Sequence, residues 1–380
     1  MERRFKLKIS GESPRSLILA FILSKFKCDI YLNDFATNTC SDKDDQIFSY
    51  SNSSKKLLSK FNLWNELKEF SYGFTSMCIK DNLISKQLLL RNGNCSTKYS
   101  SAIGWIINHR NVKKIFINKL INFDNVHFIS KNQKPYESLN FDYEFNFYSY
   151  EKFVNLFKLP LSIFKRVDNQ ILIFKVYLRG NVEKRLYEIN TTEGLLILMP
   201  LNKNLYQIIW NNASIKIKER SLRSKSYFLD NLTTLLPDGL KVDQIIGDIN
   251  FLHDCNHLPT YLIKKNSIYF NEDKLFSNTL YDFNFDILLS NALQIFKLLD
   301  NNDFRNINIL NKLGFSLLIK YLGIIMNYSF TNYLINLFML NTKFLLFFRK
   351  FLFILFEKIN LLKMIFMKIP TNININKLNK

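Results

Sequence analysis

Glycine is scarce in this chain, which has 10 glycines among 380 residues, a share well below the usual ~7%. Glycine allows sharp turns and close approach to a bound group, because it carries no Cβ. Few loops therefore have the close backbone approach that glycine permits. The sequence also has no internal repeat, which excludes repeat architectures.

Cysteine is sparse and follows no pattern. The chain contains no C-x-x-C pair, and its five cysteines are Cys28, Cys40, Cys78, Cys95 and Cys255. An odd, scattered set of this kind predicts reduced thiols and a cytoplasmic location.

The sequence predicts no metal site. The stretch HDCNH places His253 and His257 four residues apart, a spacing that on a helix would begin a metal site. No third ligand lies nearby and Pro259 follows, so a cluster in a loop or at a strand end is the favoured interpretation.

Targeting and membrane-spanning segments are also lacking. The N-terminus has a basic start and a short apolar run, but no small-residue cleavage site follows it. The uncharged stretch 321–342 is long enough to cross a bilayer, yet it contains four asparagines whose amides would need partners in hydrocarbon. We therefore expect neither a signal peptide nor a spanning helix.

Hydrophobic residues and positive charge are abundant. With 47% hydrophobic residues, the chain can fill two cores or one large interrupted domain. Lys and Arg number 52 against 32 Asp and Glu, a net charge of +20, which favours a phospholipid surface, a nucleic acid or a polyanionic cofactor as partner. The richness in Lys, Asn, Ile and Phe is also typical of an AT-rich genome, so both explanations of the charge stay open.

The first 34 residues have the pattern of a βαβ unit. Residues 5–9 alternate as a strand, the turn GESPRS follows, SLILAFILSKF has helical spacing, and CDIYLND is a second strand that ends at Asp34. Helices are predicted over SSKKLLSKFNLWNELKEF, which opens on a serine cap, and over 105–121. VHFI is predicted to be a strand.

From about residue 171 the hydrophobic period changes to two. The stretches QILIFKVYL, RLYEI, GLLILMPL, YQIIW and ASIKIKE predict an antiparallel sheet. After Pro259 a strand, SIYF, precedes helices over most of 284–369, and the last residues form a polar tail.

In their order, these segments resemble the flavin-dependent aromatic hydroxylases of the para-hydroxybenzoate hydroxylase fold, and most of all the ubiquinone-biosynthesis hydroxylases. The segments that carry the resemblance are SNSSKKLLSKFNLWNELK, GWIINHRNVKKIFINKL, YEINTTEGLLILMPL with IIW, and NLFMLNTKFLLFFRKFLFILFEKINLLKMIFMK.

The resemblance implies an α/β fold, with a Rossmann-like FAD-binding domain interleaved with an antiparallel β-sheet substrate domain and followed by C-terminal helices. The implied discontinuous FAD-binding-like domain covers 1–70, 100–165 and 263–330. The substrate domain covers 71–99 and 166–262, the C-terminal helices 331–369, and the tail 370–380.

The first cofactor motif of this family is a three-glycine turn. Its glycines permit a tight turn, close approach of the backbone to pyrophosphate, and close helix packing. Gly11, Ser13 and Ser16 stand at these three positions, so the first glycine alone is kept. The resemblance also places Asp34 at the ribose-binding position and Arg110 near the cofactor, whereas Gln46 replaces another expected arginine.

The other two cofactor motifs are altered as well. Tyr148 and Ser149 stand where the family has Asp-Gly, and Asn271 and Glu272 stand for the Gly-Asp of the third motif. Asp282, Phe283 and Asn284 replace its Gly-Gln-Gly. Side chains at these positions deny the close backbone approach that glycine permits.

Two hypotheses follow. The first is a divergent FAD-dependent monooxygenase that hydroxylates an aromatic, polyprenylated ubiquinone precursor, with NAD(P)H as reductant and the flavin carrying the oxygen chemistry. The second is a flavin-free accessory or scaffold protein that supports other quinone-biosynthesis proteins in the same pathway. The resemblance assigns no catalytic side chain, and cofactor occupancy distinguishes the two hypotheses.

The C-terminal run 340–368 alternates apolar and aromatic residues with Lys and Arg. It predicts contact with an anionic membrane surface, and a peripheral location on the cytoplasmic side of the inner membrane. The alternative is that its apolar side packs on the FAD-binding-like domain. No nucleic acid is expected as a partner, because no binding motif for it is present.

Overall fold

A computed structural model of the chain describes residues 4–11, 13–26, 28–33, 47–91, 102–129, 139–148, 170–180, 183–191, 194–213, 225–253, 261–264, 266–271 and 342–359. The helices of this part are α1 (Pro14–Leu23), α2 (Asn52–Lys60), α3 (Trp64–Glu69), α4 (His109–Leu120), α5 (Lys225–Leu235) and α6 (Lys343–Lys358). The strands are β1 (Phe5–Ser10), β2 (Cys28–Asn33), β3 (Ile47–Ser51), β4 (Ser71–Phe74), β5 (Ser76–Asp81), β6 (Lys86–Arg91), β7 (Gly104–Asn108), β8 (Val126–Ile129), β9 (Tyr143–Tyr148), β10 (Gln170–Gly180), β11 (Arg185–Thr191), β12 (Gly194–Pro200), β13 (Leu205–Ala213), β14 (Leu240–His253), β15 (Tyr261–Lys264) and β16 (Ser267–Asn271).

The first sheet has the order β15-β16-β9-β1-β2-β8. Its strands are parallel except for β15, which pairs antiparallel with β16 at one edge. The predicted strand–turn–helix–strand unit is confirmed as β1, α1 and β2. Helices α1 and α4 pack together through Phe21 and Phe116, whose ring centroids lie 5.6 Å apart. The resulting arrangement is the predicted Rossmann-like layer, with a continuous apolar core between strands and helices.

A three-stranded antiparallel sheet, β3-β7-β4, joins the two main parts of the structure. Trp105 and Ile107 of β7 belong to the core of the parallel sheet, whereas Ile106 packs with the core of the next sheet. The prediction that the helix begins at Trp105 is therefore wrong for its first four residues. These residues are buried on alternating sides, which a strand between two cores satisfies and a helix does not.

The second large sheet has the order β14-β10-β13-β12-β11-β5-β6. It is antiparallel except where β11 pairs with β5, which confirms the predicted antiparallel block. One face packs against α5, with Trp210 and Phe228 in contact. The other, here called the inner face, packs on the three-stranded sheet. The strand β14 and the helix α5 were not predicted.

The predicted helix over SSKKLLSKFNLWNELKEF is two helices, α2 and α3. Asn62 has a φ of 55° and ends α2 in the left-handed conformation. Its N–H donates to Ser59 O at 3.1 Å, and the N–H of Leu63 donates to Leu58 O at 2.9 Å. These two bonds form a Schellman motif, in which a residue with positive φ closes the helix. Asparagine tolerates this conformation better than most residues, so the break has a local cause.

Helix α6 packs on the edge of the second sheet through Phe353, which contacts Leu88 and Leu90 of β6. Of the helices in the described ranges, none combines the length and the apolar character that a membrane crossing needs. The domain boundaries given above stay a prediction. ASIKIKE beyond Ala213, the helices predicted before Thr342 and the polar tail lie outside the described residues.

Candidate functional site

The carboxyl ends of the parallel strands meet at one edge of the first sheet. In the register of the ladders, Ser10 stands opposite Asn33 and Asn146, and Asn271 stands opposite Tyr148. The three segments predicted to be cofactor motifs therefore begin at the same edge. Open α/β sheets bind their ligands at this edge, in the crevice beyond the strand ends.

Gly11, the one glycine kept in the first motif, is required by the fold itself. Its φ is +134°, a conformation that side chains rarely adopt. A Cβ at this position would lie 2.7 Å from the Cβ of Phe147 and 3.0 Å from its carbonyl oxygen. The turn after β1 presses directly on β9, and this packing explains the glycine without any ligand.

Ser16 replaces the third glycine without displacing α1 from the sheet. The side chain is fully buried, and its hydroxyl lies 2.7 Å from Ser13 O and 3.0 Å from Gly11 O, the two carbonyls that it can donate to. A hydroxyl satisfied by the backbone of its own turn costs little to bury. The substitution that looked damaging in the sequence therefore reinforces the turn.

Ser13 stands at the position of the second glycine and is the N-cap of α1. Its φ and ψ are extended, as capping requires, but its side chain makes no capping hydrogen bond. The Oγ atom is shielded from solvent and has no hydrogen-bond partner among the described residues. Buried hydroxyls are normally paired, so this one has spare capacity to donate to a ligand.

The start of α1 fits an anionic group. The first turn of a helix presents N–H groups that have no acceptor within the helix, and the helix dipole adds partial positive charge. Pro14 lacks an N–H and so removes one of these donors. The unpaired Ser13 hydroxyl supplies a further donor at the same place. These donors suit an anionic group such as the diphosphate of a dinucleotide.

Positive charge gathers beside this helix start. His109, the first residue of α4, is buried, and its pKa falls to about 3 through burial first and then through the charges of Arg15 and Lys113. Arg15 lies in the first turn of α1, so the N-terminal ends of α1 and α4 are close neighbours. The imidazole is therefore neutral and adds no charge beside Arg15 and Lys113, so the net charge of this group of three residues is positive.

Arg110, predicted to lie near the cofactor, is the second residue of α4. Its side chain is exposed, and its backbone N–H donates to Asn108 Oδ1 at 2.8 Å. The structure thus brings Gly11, Ser13 and Ser16 together in one turn and places Arg110 at the start of the neighbouring helix. Asp34, Gln46, Ser149, Glu272 and the segment 282–284 lie outside the described residues.

Two buried polar groups lie on the inner face of the seven-stranded sheet. Glu188 pairs in register with Ile197, and Gln207 with Met199, which puts both side chains on the face lined by those residues. Glu188 Oε2 and Gln207 Oε1 have no hydrogen-bond partner within the described ranges. Burial raises the pKa of Glu188 well above its usual value and so favours the protonated carboxyl, which carries a hydrogen-bond donor.

Sequence reasoning missed Glu188 and Gln207, although a signal was present. In RLYEINT and YQIIW both residues fall in phase with apolar neighbours that face inward, such as Leu186 and Ile209. A polar residue at an inward position of an alternating strand is the signal. Of the possible metal cluster HDCNH, the structure describes only His253, and the described ranges contain no group of three or more potential ligands.

By sequence, the chain matches no protein-family profile and no curated protein. By structure, it is similar to p-nitrophenol 4-monooxygenase PnpA from Pseudomonas putida DLL-E4, with a TM-score of 0.69, 12% identity and 98% of each chain covered. PqsL, a probable FAD-dependent monooxygenase from Pseudomonas aeruginosa, matches with a TM-score of 0.58 and 11% identity over 78% of this chain and 86% of its own. The flavin-dependent halogenase Xcc4156 from Xanthomonas campestris matches with a TM-score of 0.61 and 8% identity over 84% and 76%. The fold is therefore that of flavin-dependent monooxygenases and halogenases.

Proposed function

We propose that this protein is an FAD-dependent monooxygenase that hydroxylates an aromatic ring, and that its substrate is a polyprenylated precursor of ubiquinone. The observation that carries the proposal is the unpaired, buried hydroxyl of Ser13 at the N-terminus of α1. It lies at the edge of a parallel sheet where this fold class binds its ligands.

In this proposal, Ser13 and the first turn of α1 bind the diphosphate of FAD, and Arg15 and Lys113 balance its charge. The FAD, reduced by NAD(P)H, supplies the oxygen chemistry when it is bound. Gly11 and Ser16 act indirectly, because they hold the turn against β9. A diphosphate held in this way stays anchored although two of the three glycines are lost.

The inner face of the seven-stranded sheet is the proposed side for the substrate ring. Its lining is apolar, with Ile197, Met199 and Ile209 buried on the same face of the sheet as the two unpaired polar groups. A protonated Glu188 donates a hydrogen bond to a phenolic or carbonyl oxygen of the ring, and Gln207 offers a second polar contact. The polyprenyl identity of the substrate rests on the resemblance to the ubiquinone-biosynthesis hydroxylases.

The deciding experiment is FAD titration of the purified protein, followed by visible flavin absorbance and fluorescence. The wild-type chain is expected to bind FAD stoichiometrically. Ser13→Ala should weaken binding about 10- to 100-fold, because a hydrogen bond to a charged group contributes roughly 1.5–3 kcal/mol. Ser13→Gly restores the family's motif and should bind FAD at least as well as Ser13→Ala.

The matched control is Ser59→Ala on α2, whose hydroxyl donates to Lys55 O at 2.9 Å on the exposed surface. It should leave FAD affinity unchanged. Absence of bound flavin in the wild-type chain and in Ser13→Gly would overturn the proposal and leave the flavin-free accessory protein as the function. Activity is then tested with a prenylated phenol, NADPH and isotopically labelled dioxygen, with the label measured in the product.

A further inference from the structure

Helix α6 has one buried face and one exposed face. Arg349 and Phe353 are buried against the second sheet. Phe344, Phe347, Phe348 and Phe351 are exposed to 76%, 71%, 42% and 52%. Their spacing of i, i+3, i+4 and i+7 places the four rings in one stripe along the helix, opposite the buried pair. The stripe of these four phenylalanines is called the aromatic stripe below.

Single exposed apolar residues are common on protein surfaces, but a contiguous group such as the aromatic stripe is unusual. Among the described residues, two other large hydrophobic side chains away from α6 are exposed, Phe70 and Ile121, and they lie on separate elements. Four rings on adjacent turns of one helix form a continuous apolar surface. Such a surface is costly in water and indicates a contact that removes it from water.

The charges around the stripe identify the kind of partner. Lys343, Lys350 and Lys358 are exposed on the same helix, against one exposed acid, Glu357. The whole chain carries a net charge of +20. A second copy of this chain would bring the same lysines together, which like-charge repulsion opposes. An anionic bilayer attracts these lysines to its headgroups while its acyl region accepts the rings.

The buried side of α6 fixes the direction of the stripe. The Arg349 guanidinium is paired with the Asp81 carboxylate of β5, with Nε 2.9 Å from Oδ2, and both side chains are buried. Phe353 adds apolar contacts with Leu88 and Leu90. The helix is therefore attached to a rigid sheet by one face, and the aromatic stripe points away from it.

We infer that α6 binds the surface of an anionic membrane, with the aromatic stripe inserted among the acyl chains and the lysines at the lipid phosphates. The helix then holds the second sheet at the bilayer surface, where a lipid-borne molecule is accessible. This inference does not depend on the bound flavin, so it stands or fails separately from the proposed reaction.

The test is co-sedimentation of the full chain with vesicles of equal parts phosphatidylglycerol and phosphatidylcholine, compared with vesicles of pure phosphatidylcholine. The wild-type chain is expected to bind the anionic vesicles, and binding should weaken as salt rises. The double variant Phe347→Ser with Phe351→Ser should bind at least about tenfold more weakly, since two rings no longer enter the apolar region. Lys343→Glu with Lys350→Glu should reduce binding to anionic vesicles in particular.

The matched control is Phe70→Ser with Ile121→Ser, which removes two exposed apolar side chains elsewhere on the molecule. It should bind as the wild type does. Equal binding by the stripe variant and the wild type would overturn the inference. It would also be overturned if the wild-type chain ignored vesicles and formed dimers that the stripe variant could not form, because a second copy would then cover the stripe. Thermal unfolding of each variant establishes that it is folded.

Discussion

Replacement of Arg349 by methionine is expected to destabilise the protein strongly. The guanidinium donates through Nε and Nη2 to Asp81 Oδ2, and the two side chains are 2% and 0% exposed. In Arg349→Met, the carboxylate of Asp81 keeps one bond, from the backbone N–H of Leu83 to Oδ1 at 3.0 Å. Removal of one partner of a buried ion pair costs roughly 3–5 kcal/mol, because the other charge is left buried without compensation.

The free-energy cost of Arg349→Met has an upper limit, because α6 can detach from the sheet and so expose Asp81 to water. This detachment would itself cost about 1.5–3 kcal/mol, because it exposes the buried side chain of Phe353 to water. Two measurements are therefore needed: the denaturant midpoint for the whole chain, and hydrogen exchange of the α6 amides for local detachment. In Arg349→Met at least one of them should report a loss of about 3 kcal/mol or more.

The double variant Asp81→Leu with Arg349→Met tests whether the uncompensated carboxylate causes the loss of stability. It removes both charges, so it should recover most of the stability lost in Arg349→Met. The Leu83 N–H then lacks its acceptor, and this leaves a residual cost of roughly 1 kcal/mol. A change of less than about 1 kcal/mol in both measurements for Arg349→Met would show that the unpaired Asp81 carboxylate costs little. Simple additivity of the two substitutions would show the same.

Three further variants test other parts of the structure. Gly11→Ala should destabilise the fold by at least roughly 1–3 kcal/mol in urea unfolding, because its Cβ would meet Phe147 at 2.7 Å in a conformation with φ of +134°; an unchanged midpoint would contradict this. The raised pKa of Glu188 means that the folded state binds its proton more tightly, so stability should fall as pH rises above the ordinary value of 4.5, and Glu188→Gln should flatten that slope. The pKa of His109 is lowered from 6.5 to about 3, so its contribution is fully present above pH 6.5 and is lost as pH falls toward 3; in His109→Asn, urea midpoints over this range should vary less with pH than in the wild type.

The candidate site shows why the three glycine positions had to be judged separately. In the sequence, Gly11, Ser13 and Ser16 differ only in whether glycine is kept. In the structure, Gly11 serves the packing of β1 against β9, and Ser16 is satisfied within the turn. Only Ser13 has unused hydrogen-bonding capacity. Serine at position 16 is therefore explained by the turn alone and does not indicate whether a cofactor binds. Serine at position 13 is the residue of the three whose role depends on a bound group.

Local patterns were sufficient wherever a short stretch carries its own signal. The strand–turn–helix–strand unit of β1, α1 and β2, the alternation that predicts β10 to β13 and the strand VHFI all follow from neighbouring residues. The end of α2 at Asn62 also has a local cause, although the pattern predicted one helix across it. Asn62 is left-handed, and the N–H groups of Asn62 and Leu63 donate to the carbonyls of Ser59 and Leu58. These features depend on contacts within a few residues, so their physics is contained in the sequence that forms them.

The tertiary structure decided the features that depend on distant partners. Residues 105–108 form a strand because their alternate side chains pack into two different cores. Local propensity does not predict such packing. Asp81 and Arg349 pair across 268 residues of sequence, and neither residue type predicts burial by itself. Thus local amino-acid order determined elements such as α1 and the strands β10 to β13. Packing determined which polar groups are paired and which, like Ser13 and Glu188, have an atom without a hydrogen-bond partner among the described residues.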